Sequence, residues 1–238
     1  MNKRVLVVGG SKEFSGAPQL AGVAALRYGA ESVLVMTPEK VAWAINASSP
    51  DLMTYKLEGD YLSMKHEEVI LKKLETADIL VIGNGATTHP ETLELMRSLS
   101  LWYGPKVIDA DALRAIESTE INNAILTPNT GEWEYLNEAI DIDKFVASQD
   151  IVVVQKGKTT KVFDGSQIFE QKVNEGLHKA GMGDVLAGLC AASLAKGLPL
   201  FEAAKDAVKV GSKIAANIED EIGGKHFLAS DVANFIDD

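Results

Sequence analysis

Lys179-Ala180-Gly181-Met182-Gly183-Asp184-Val185-Leu186-Ala187-Gly188 reads as a tight turn running into a helix. Two glycines bracket one residue and an aspartate follows. Leu186, Leu189, Cys190 and Leu194 then recur at i, i+3, i+4 and i+8, one face of a buried helix. A Gly-x-Gly turn that opens a helix leaves backbone N–H groups without intrahelical partners, at the positive end of the helix dipole. Such a place suits phosphate oxygens. An aspartate beside phosphates is not a ligand for them, because like charges repel. It has a use there as a base, taking the proton from a hydroxyl that attacks phosphorus. The same residues also read as a plain glycine-rich turn with Asp184 as helix N-cap. The rest of the chain has to decide.

Upstream, apolar runs of strand length alternate with helical patterns. Residues 5–8, 79–82 and 151–154 are continuous Val, Ile and Leu runs, and 32–36 (Ser-Val-Leu-Val-Met) is nearly so, of the type buried on both faces of a parallel sheet. Shorter strands are expected at 51–56, 107–108 and 125–126, and a hairpin at 161–164 and 168–172 around Gly165-Ser166. Helices are expected at 22–30, 41–45, 67–74, 91–99 and 201–218, with a short last one ending at 235. No linker, repeat or low-complexity segment interrupts this alternation. The expected architecture is one α/β domain over 1–238, a mainly parallel sheet with helices on both faces. Nearly all Gly-rich and polar clusters fall just after a strand, at the carboxyl edge where open α/β sheets bind ligands.

Composition narrows the partners. The 238 residues carry a net charge of −11, which disfavours nucleic acid and anionic membranes. Nucleotides remain open to an acidic protein when helix dipoles and Mg²⁺ supply positive charge. Cys190 is the only cysteine, which excludes an internal disulfide and reads as a small core residue. The run from Met1 to Val8 is too short for a signal-peptide core. No stretch reaches the ~18–20 apolar residues of a membrane helix. A cytoplasmic protein is expected.

Two motifs fail on spacing. Gly157-Lys158-Thr159 resembles the end of a P-loop, but the earlier glycine position is Val152, inside a strand. Gly83-Asn84-Gly85 opens a dinucleotide fingerprint whose third glycine position is Thr88. His66, His89, His178 and His226 are scattered and receive no role. What remains is phosphoryl transfer without a P-loop. Gly181, Met182 and Gly183 would hold the phosphate, with Asp184 as base. Asn129 and Glu132, three apart before a helix, suit the waters of a bound Mg²⁺, although Glu132 reads equally as a carboxylate favoured by a helix N-terminus. Lys156-Gly157-Lys158-Thr159 offers donors to a nucleotide, although strand-end lysines are commonly just solvated.

The ordered set Gly9-Gly10-Ser11, Ser15-Gly16-Ala17, Gly83-Asn84-Gly85, Asp109-Ala110-Asp111-Ala112-Leu113, Thr127-Pro128-Asn129-Thr130-Gly131-Glu132, Lys156-Gly157 and Gly181-Met182-Gly183-Asp184-Val185-Leu186-Ala187-Gly188 resembles the ADP/ATP-dependent NAD(P)H-hydrate dehydratases. That family belongs to the ribokinase-like superfamily, and the resemblance spans essentially the whole chain. It implies a kinase step with a sequel. ADP or ATP phosphorylates the ring hydroxyl of hydrated NADH or NADPH, and phosphate then leaves as the ring nitrogen pushes in electrons. It further implies Asp184 as base on that hydroxyl, and Ala17, Gly85 and Asn129 around the hydrate. The nucleotide would meet Lys156, Gly157, Lys158, Thr159, Thr160, Gly181, Met182 and Gly183, with Asp111 and Glu132 near phosphates and metal. A homo-oligomer is the corresponding expectation.

Two departures concern the substrate side. The family usually has histidine then proline where this chain has Asn129-Thr130, and Asn129-x-x-Glu132 is similar to the metal-associated pattern of the sugar-kinase branch. The approach 174–179 is also shorter than usual. A ribokinase-like kinase of a sugar or vitamin alcohol is therefore the alternative, and a non-catalytic nucleotide-binding module a third.

Overall fold

The apolar runs become the centre of one sheet. Its strands are β1 (Arg4–Val8), β2 (Ser32–Pro38), β3 (Met53–Leu57), β4 (Ile79–Ile82), β5 (Lys106–Ile108), β6 (Ala124–Leu126), β7 (Ile151–Gln155), β8 (Thr159–Phe163) and β9 (Ile168–Lys172). The computed structural model describes residues 3–116 and 121–236, so Met1 and Asn2 of the N-terminal run lie outside it. The spatial order is β3-β2-β1-β4-β5-β6-β7-β8-β9. β1 to β7 are parallel, and the β8–β9 hairpin continues the sheet antiparallel from β7. The chain builds outward from β1 to β3, then returns to the other side of β1 with β4. The β1 and β4 loops thus meet where the winding reverses, the place at which such sheets bind ligands.

Helices α1 (Gly16–Arg27), α2 (Glu39–Ser48), α3 (Glu67–Leu74), α4 (Pro90–Ser100), α5 (Thr130–Ala139), α6 (Ile142–Ser148), α7 (Met182–Ala195), α8 (Leu200–Ile222) and α9 (Ala229–Asn234) cover both faces. Alternate strand residues feed two cores. Val5, Val7, Val33, Val35 and Val81 pack towards α1, α7, α8 and α9. Leu6, Val8, Leu80 and Ile82 pack towards α3 to α6. Each such side chain, fully buried, contributes about 1.5–3 kcal/mol, which explains why β4 is apolar throughout and β7 is apolar up to Val154. Among the described residues no helix is long and apolar enough to cross a membrane.

The first helix differs from expectation at both ends. It starts at Gly16 rather than residue 22, because Pro18 in the first turn removes no intrahelical bond. It ends at Arg27, before Gly29 turns left-handed at φ +115°. α6 was not expected at all. Its start is marked by Asp141, whose carboxylate accepts from the Lys144 N–H at 3.3 Å.

The small residues of α1 serve a helix as well as the sheet. Gly188 of α7 lies on the α1 backbone, where an added Cβ would sit 2.2 Å from the Ala21 carbonyl oxygen and 2.8 Å from the Ala24 Cβ. Neither obstacle is a flexible side-chain end. Gly188→Ala is expected to cost about 3 kcal/mol by overpacking and to lower Tm by about 6 °C or more. A thermal melt unchanged within about a degree would show that α1 and α7 part freely.

At the opposite edge from the ligand loops, Lys106 is 0 % exposed and its ammonium donates to the Asn122 carbonyl. Burial pushes its pKa down to about 8, against the pull of Asp150. The unfolded chain binds this proton up to pH about 10.5, so stability rises with pH between about 8 and 10.5. The ceiling on that rise is about 3 kcal/mol. Lys106→Met is expected to remove it. Urea unfolding of both proteins at pH 7 and pH 10.5 reads the difference, and parallel pH dependences would sink the assignment.

Candidate active site

The N-cap falls three residues before Asp184, the position that the plain-turn reading gave it. Gly181 is the N-cap of α7 at φ +85°, a left-handed conformation that glycine adopts without strain. A side chain there would also meet Leu20 and Ala229 at 2.8 Å. The helix starts at Met182, whose N–H donates back to the Lys179 carbonyl. Gly183 and Asp184 lie in the first turn, where N–H groups have no intrahelical acceptor. Asp184 is therefore the third helical residue and not the N-cap. Its carboxylate projects from the first turn of α7.

That carboxylate ends a chain of side chains drawn from four neighbouring strand ends. Asn84, after β4, donates its amide to Asp184 at 2.7 Å and to Asp109 at 2.9 Å. Asp109, after β5, also accepts from the Thr127 hydroxyl after β6 at 2.6 Å and from the Lys156 ammonium after β7 at 2.8 Å. The Asp109 and Lys156 side chains are 2 % and 20 % exposed. Gly183 lies directly over this pair, since a Cβ on it would sit 2.9 Å from Lys156 Nζ. A side chain at 183 would displace the ammonium from this position.

The electrostatics follow from crowding acids in a half-enclosed space. Burial, then the Asp109 charge, pushes the Asp184 carboxyl up to about 7, with Asn84 and Lys156 opposing and Glu132 adding. Burial also raises Glu132, against Lys156 and the Asn129 N–H. Burial works to lower the pKa of Lys156, but Asp109 and Glu132 outweigh it and hold the ammonium above its ordinary value. Cys190 is buried and its thiol is pushed up.

A cleft of about 440 Å³ opens beside this network. Asn129, Glu132, Lys156, Gly157, Thr160, Gly181, Met182, Gly183 and Asp184 all line it. Its other end is apolar, with Val173, Leu177, Leu186, Leu189, Val208 and Val232. Lys158 and Thr159 do not line it. β8 alternates, so Thr159 is exposed where Thr160 is buried. Ala17 and Gly85 lie outside the cleft too, together. A Cβ on Gly85 would be 3.0 Å from that of Ala17 and 2.9 Å from that of Phe14. Gly85 is next in sequence to Asn84.

Asn129 and Glu132 form a reciprocal capping box at the start of α5. The Asn129 N–H donates to Glu132 Oε2 at 2.8 Å, and the Glu132 N–H donates to Asn129 Oδ1 at 3.0 Å. Asp111 accepts the Thr87 N–H at 2.8 Å and so fixes the left-handed turn at φ +77° after β4. Of the four histidines given no role, His178 lines the cleft. Asn84, Asp109 and Thr127 stood in quoted motifs without an assigned part. Their common signal is that each is the first or second residue after a buried parallel strand.

A mainly parallel sheet with this strand order and helices on both faces is the ribokinase-like fold. An *Enterococcus faecalis* ribokinase-like superfamily protein superposes with a TM-score of 0.85 at 22 % identity, covering 98 % of this chain and 84 % of that one. The *Bacillus subtilis* ADP/ATP-dependent NAD(P)H-hydrate dehydratase, co-crystallised with ATP/Mg²⁺ and soaked with CoA, does so with a TM-score of 0.80 at 22 % identity, covering 99 % and 90 %. These likenesses are of fold.

The family follows from the sequence comparison. The family model described as NAD(P)H-hydrate dehydratase matches residues 5–237, and the chain belongs to that family. The bifunctional NAD(P)H-hydrate repair enzyme Nnr of *Methanothermobacter thermautotrophicus* is 33 % identical over 255 residues, covering 99 % of this chain and 49 % of that protein. The chain spans about half the length, or less, of the first curated relatives it matches.

Proposed function

We propose that residues 1–238 form one catalytic domain that restores hydrated NADH or NADPH, using ADP or ATP as phosphoryl donor. The observation that carries this reading is Asp184. It sits in the first turn of α7, beside an anion cradle, with a carboxyl pushed up to about 7. A base titrating near neutrality accepts a proton readily and is not wasted as a permanent anion. Asp184 would take the ring-hydroxyl proton as that oxygen attacks the terminal phosphorus of the nucleotide. The first-turn N–H groups and Lys156 would carry the phosphate charge. The ring nitrogen's lone pair then expels phosphate. Loss of a proton from the adjacent ring carbon restores the reduced ring. The nucleotide would lie along the cleft, with its base against Leu186, Leu189 and Val208. The hydrate would lie against Ala17 and Gly85, with Asn129 towards it from the start of α5.

Among the described residues no group of three or more His, Cys, Asp or Glu could hold a metal by itself. Glu132 faces the cleft with one oxygen engaged by the Asn129 N–H. This donor set fits Mg²⁺ carried in on the nucleotide with its waters, Glu132 holding those waters rather than the ion. Bound there, the ion would neutralise phosphate charge. A cytoplasmic location and a homo-oligomeric state go with the same reading, and native mass measurement tests the second.

The discriminating experiment incubates purified protein and Mg²⁺ with hydrated NADH or NADPH and ADP or ATP. Recovery of the reduced-nicotinamide absorbance is expected with at least one pair. The Asn129–Glu132 box favours the sugar or vitamin-alcohol kinase as second reading. A stable phosphorylated alcohol with no absorbance recovery would establish that reading instead.

A further inference from the structure

We infer that Asn84 is the positioning residue of the base: its side-chain amide holds the Asp184 carboxylate at the anion cradle and ties it to the Asp109–Lys156 pair. The inference rests on Asp184 being the base proposed above. Asn84 is 0 % exposed, so it touches no substrate itself. Its Nδ2 donates to carboxylates from two different elements, Asp184 on α7 and Asp109 after β5. Its Oδ1 is buried and has no hydrogen-bond partner among the described residues. Carboxylates only accept, so the amide must present its nitrogen to both. A buried acceptor left unpaired is a cost that packing alone does not require. Keeping both donors on the two acids accounts for it.

The backbone is shaped to seat this residue. The Asn84 carbonyl accepts the Gly10 N–H at 2.8 Å. A Cβ on Gly9 would lie 2.5 Å from that carbonyl oxygen, and one on Gly83 would lie 2.0 Å from the Asp109 backbone carbonyl oxygen. Glycines at 9 and 83 thus let the β1, β4 and β5 loops close around Asn84. The charged groups acting on Asp184 are Asp109 after β5, Lys156 after β7 and Glu132 on α5. Asn84 stands between the two aspartates and donates to both. Without it, Asp184 keeps the repulsion of Asp109 and loses its shortest anchor.

The test is Asn84→Ala and Asn84→Ser in the full chain, read in two ways. In turnover, the acid limb of kcat/KM should move up by about one pH unit, with roughly a tenfold loss of kcat below neutrality. The KM for nucleotide should hold, and Ser should recover part of the loss. A pH profile superimposed on that of the unsubstituted protein overturns the inference, even if the overall rate falls. Separately, carbon-13 NMR of the substrate-free proteins follows the Asp184 carboxyl, assigned by its loss in Asp184→Asn. A higher midpoint in the Asn84 variants supports the positioning role, and an unmoved one overturns it. This second reading needs no turnover, so absence of dehydratase activity would count against the proposed function alone. If Asn84→Ala fails to fold, both measurements are made on Asn84→Ser.

Discussion

Asp184→Asn is expected to lower kcat by about 10³-fold, the scale on which a general base acts, while nucleotide still binds. The same substitution should stabilise the fold, and only above acid pH. Burial and the Asp109 charge push the folded carboxyl up to about 7, from an ordinary aspartate value of 3.8. A raised folded pKa means that the folded state holds the proton longer than the unfolded chain. Stability is therefore lost as pH rises from about 4 through 7. The ceiling is about 4 kcal/mol, reduced by the screening of water in the cleft. Asn84 keeps an oxygen to donate to, so the geometry survives. Melting both proteins from pH 4 to pH 8 in the absence of nucleotide reads the effect. The Tm advantage of Asp184→Asn should be near zero at pH 4 and grow towards pH 8. A constant difference across that range would mean that Asp184 carries no strained charge, and the basis for its role as base would fall.

The strands and the turn were legible because their signals are local. Residues 79–82 and 151–154 are apolar at every position and became β4 and β7 in the sheet centre. Gly181-Met182-Gly183-Asp184 marked the start of α7 from four consecutive residues, though not its N-cap. The Asn84–Asp109–Lys156 network was not legible. It exists only because β4, β5, β6 and β7 are sheet neighbours, which brings together residues 25 and 47 apart in the chain. Asn129-x-x-Glu132 was ambiguous for a different reason. A capping box and a carboxylate facing a cleft call for the same residue types at the same spacing, and here one pair does both. Lys158 and Thr159 were read with Thr160 as one donor run. The period of two along β8 separates Thr159 from Thr160, and Lys158 lies exposed just before the strand.

Lys156→Met is expected to cost about 3–5 kcal/mol, because it strands the buried Asp109 charge without its partner. The pair itself is a weaker source of stability than that figure suggests. Asp109→Asn combined with Lys156→Met removes both charges and should recover a large part of the loss. The double variant should therefore be more stable than the sum of the single changes predicts, by about 1 kcal/mol or more. Agreement with additivity in urea unfolding would show that the two side chains touch without supporting each other. What the pair does for ligand binding is separable from this. Lys156 Nζ sits 2.9 Å from the place a Cβ would take on Gly183, so an ammonium faces the positive end of α7. Asp109 makes that arrangement tolerable in the free protein. A nucleotide phosphate placed between them answers both positive groups at once. ATP or ADP with Mg²⁺ should thus raise the Tm of the unsubstituted protein strongly. The double variant, folded but without the ammonium, should show little of that rise. An equal rise in both would assign phosphate binding to the helix start alone.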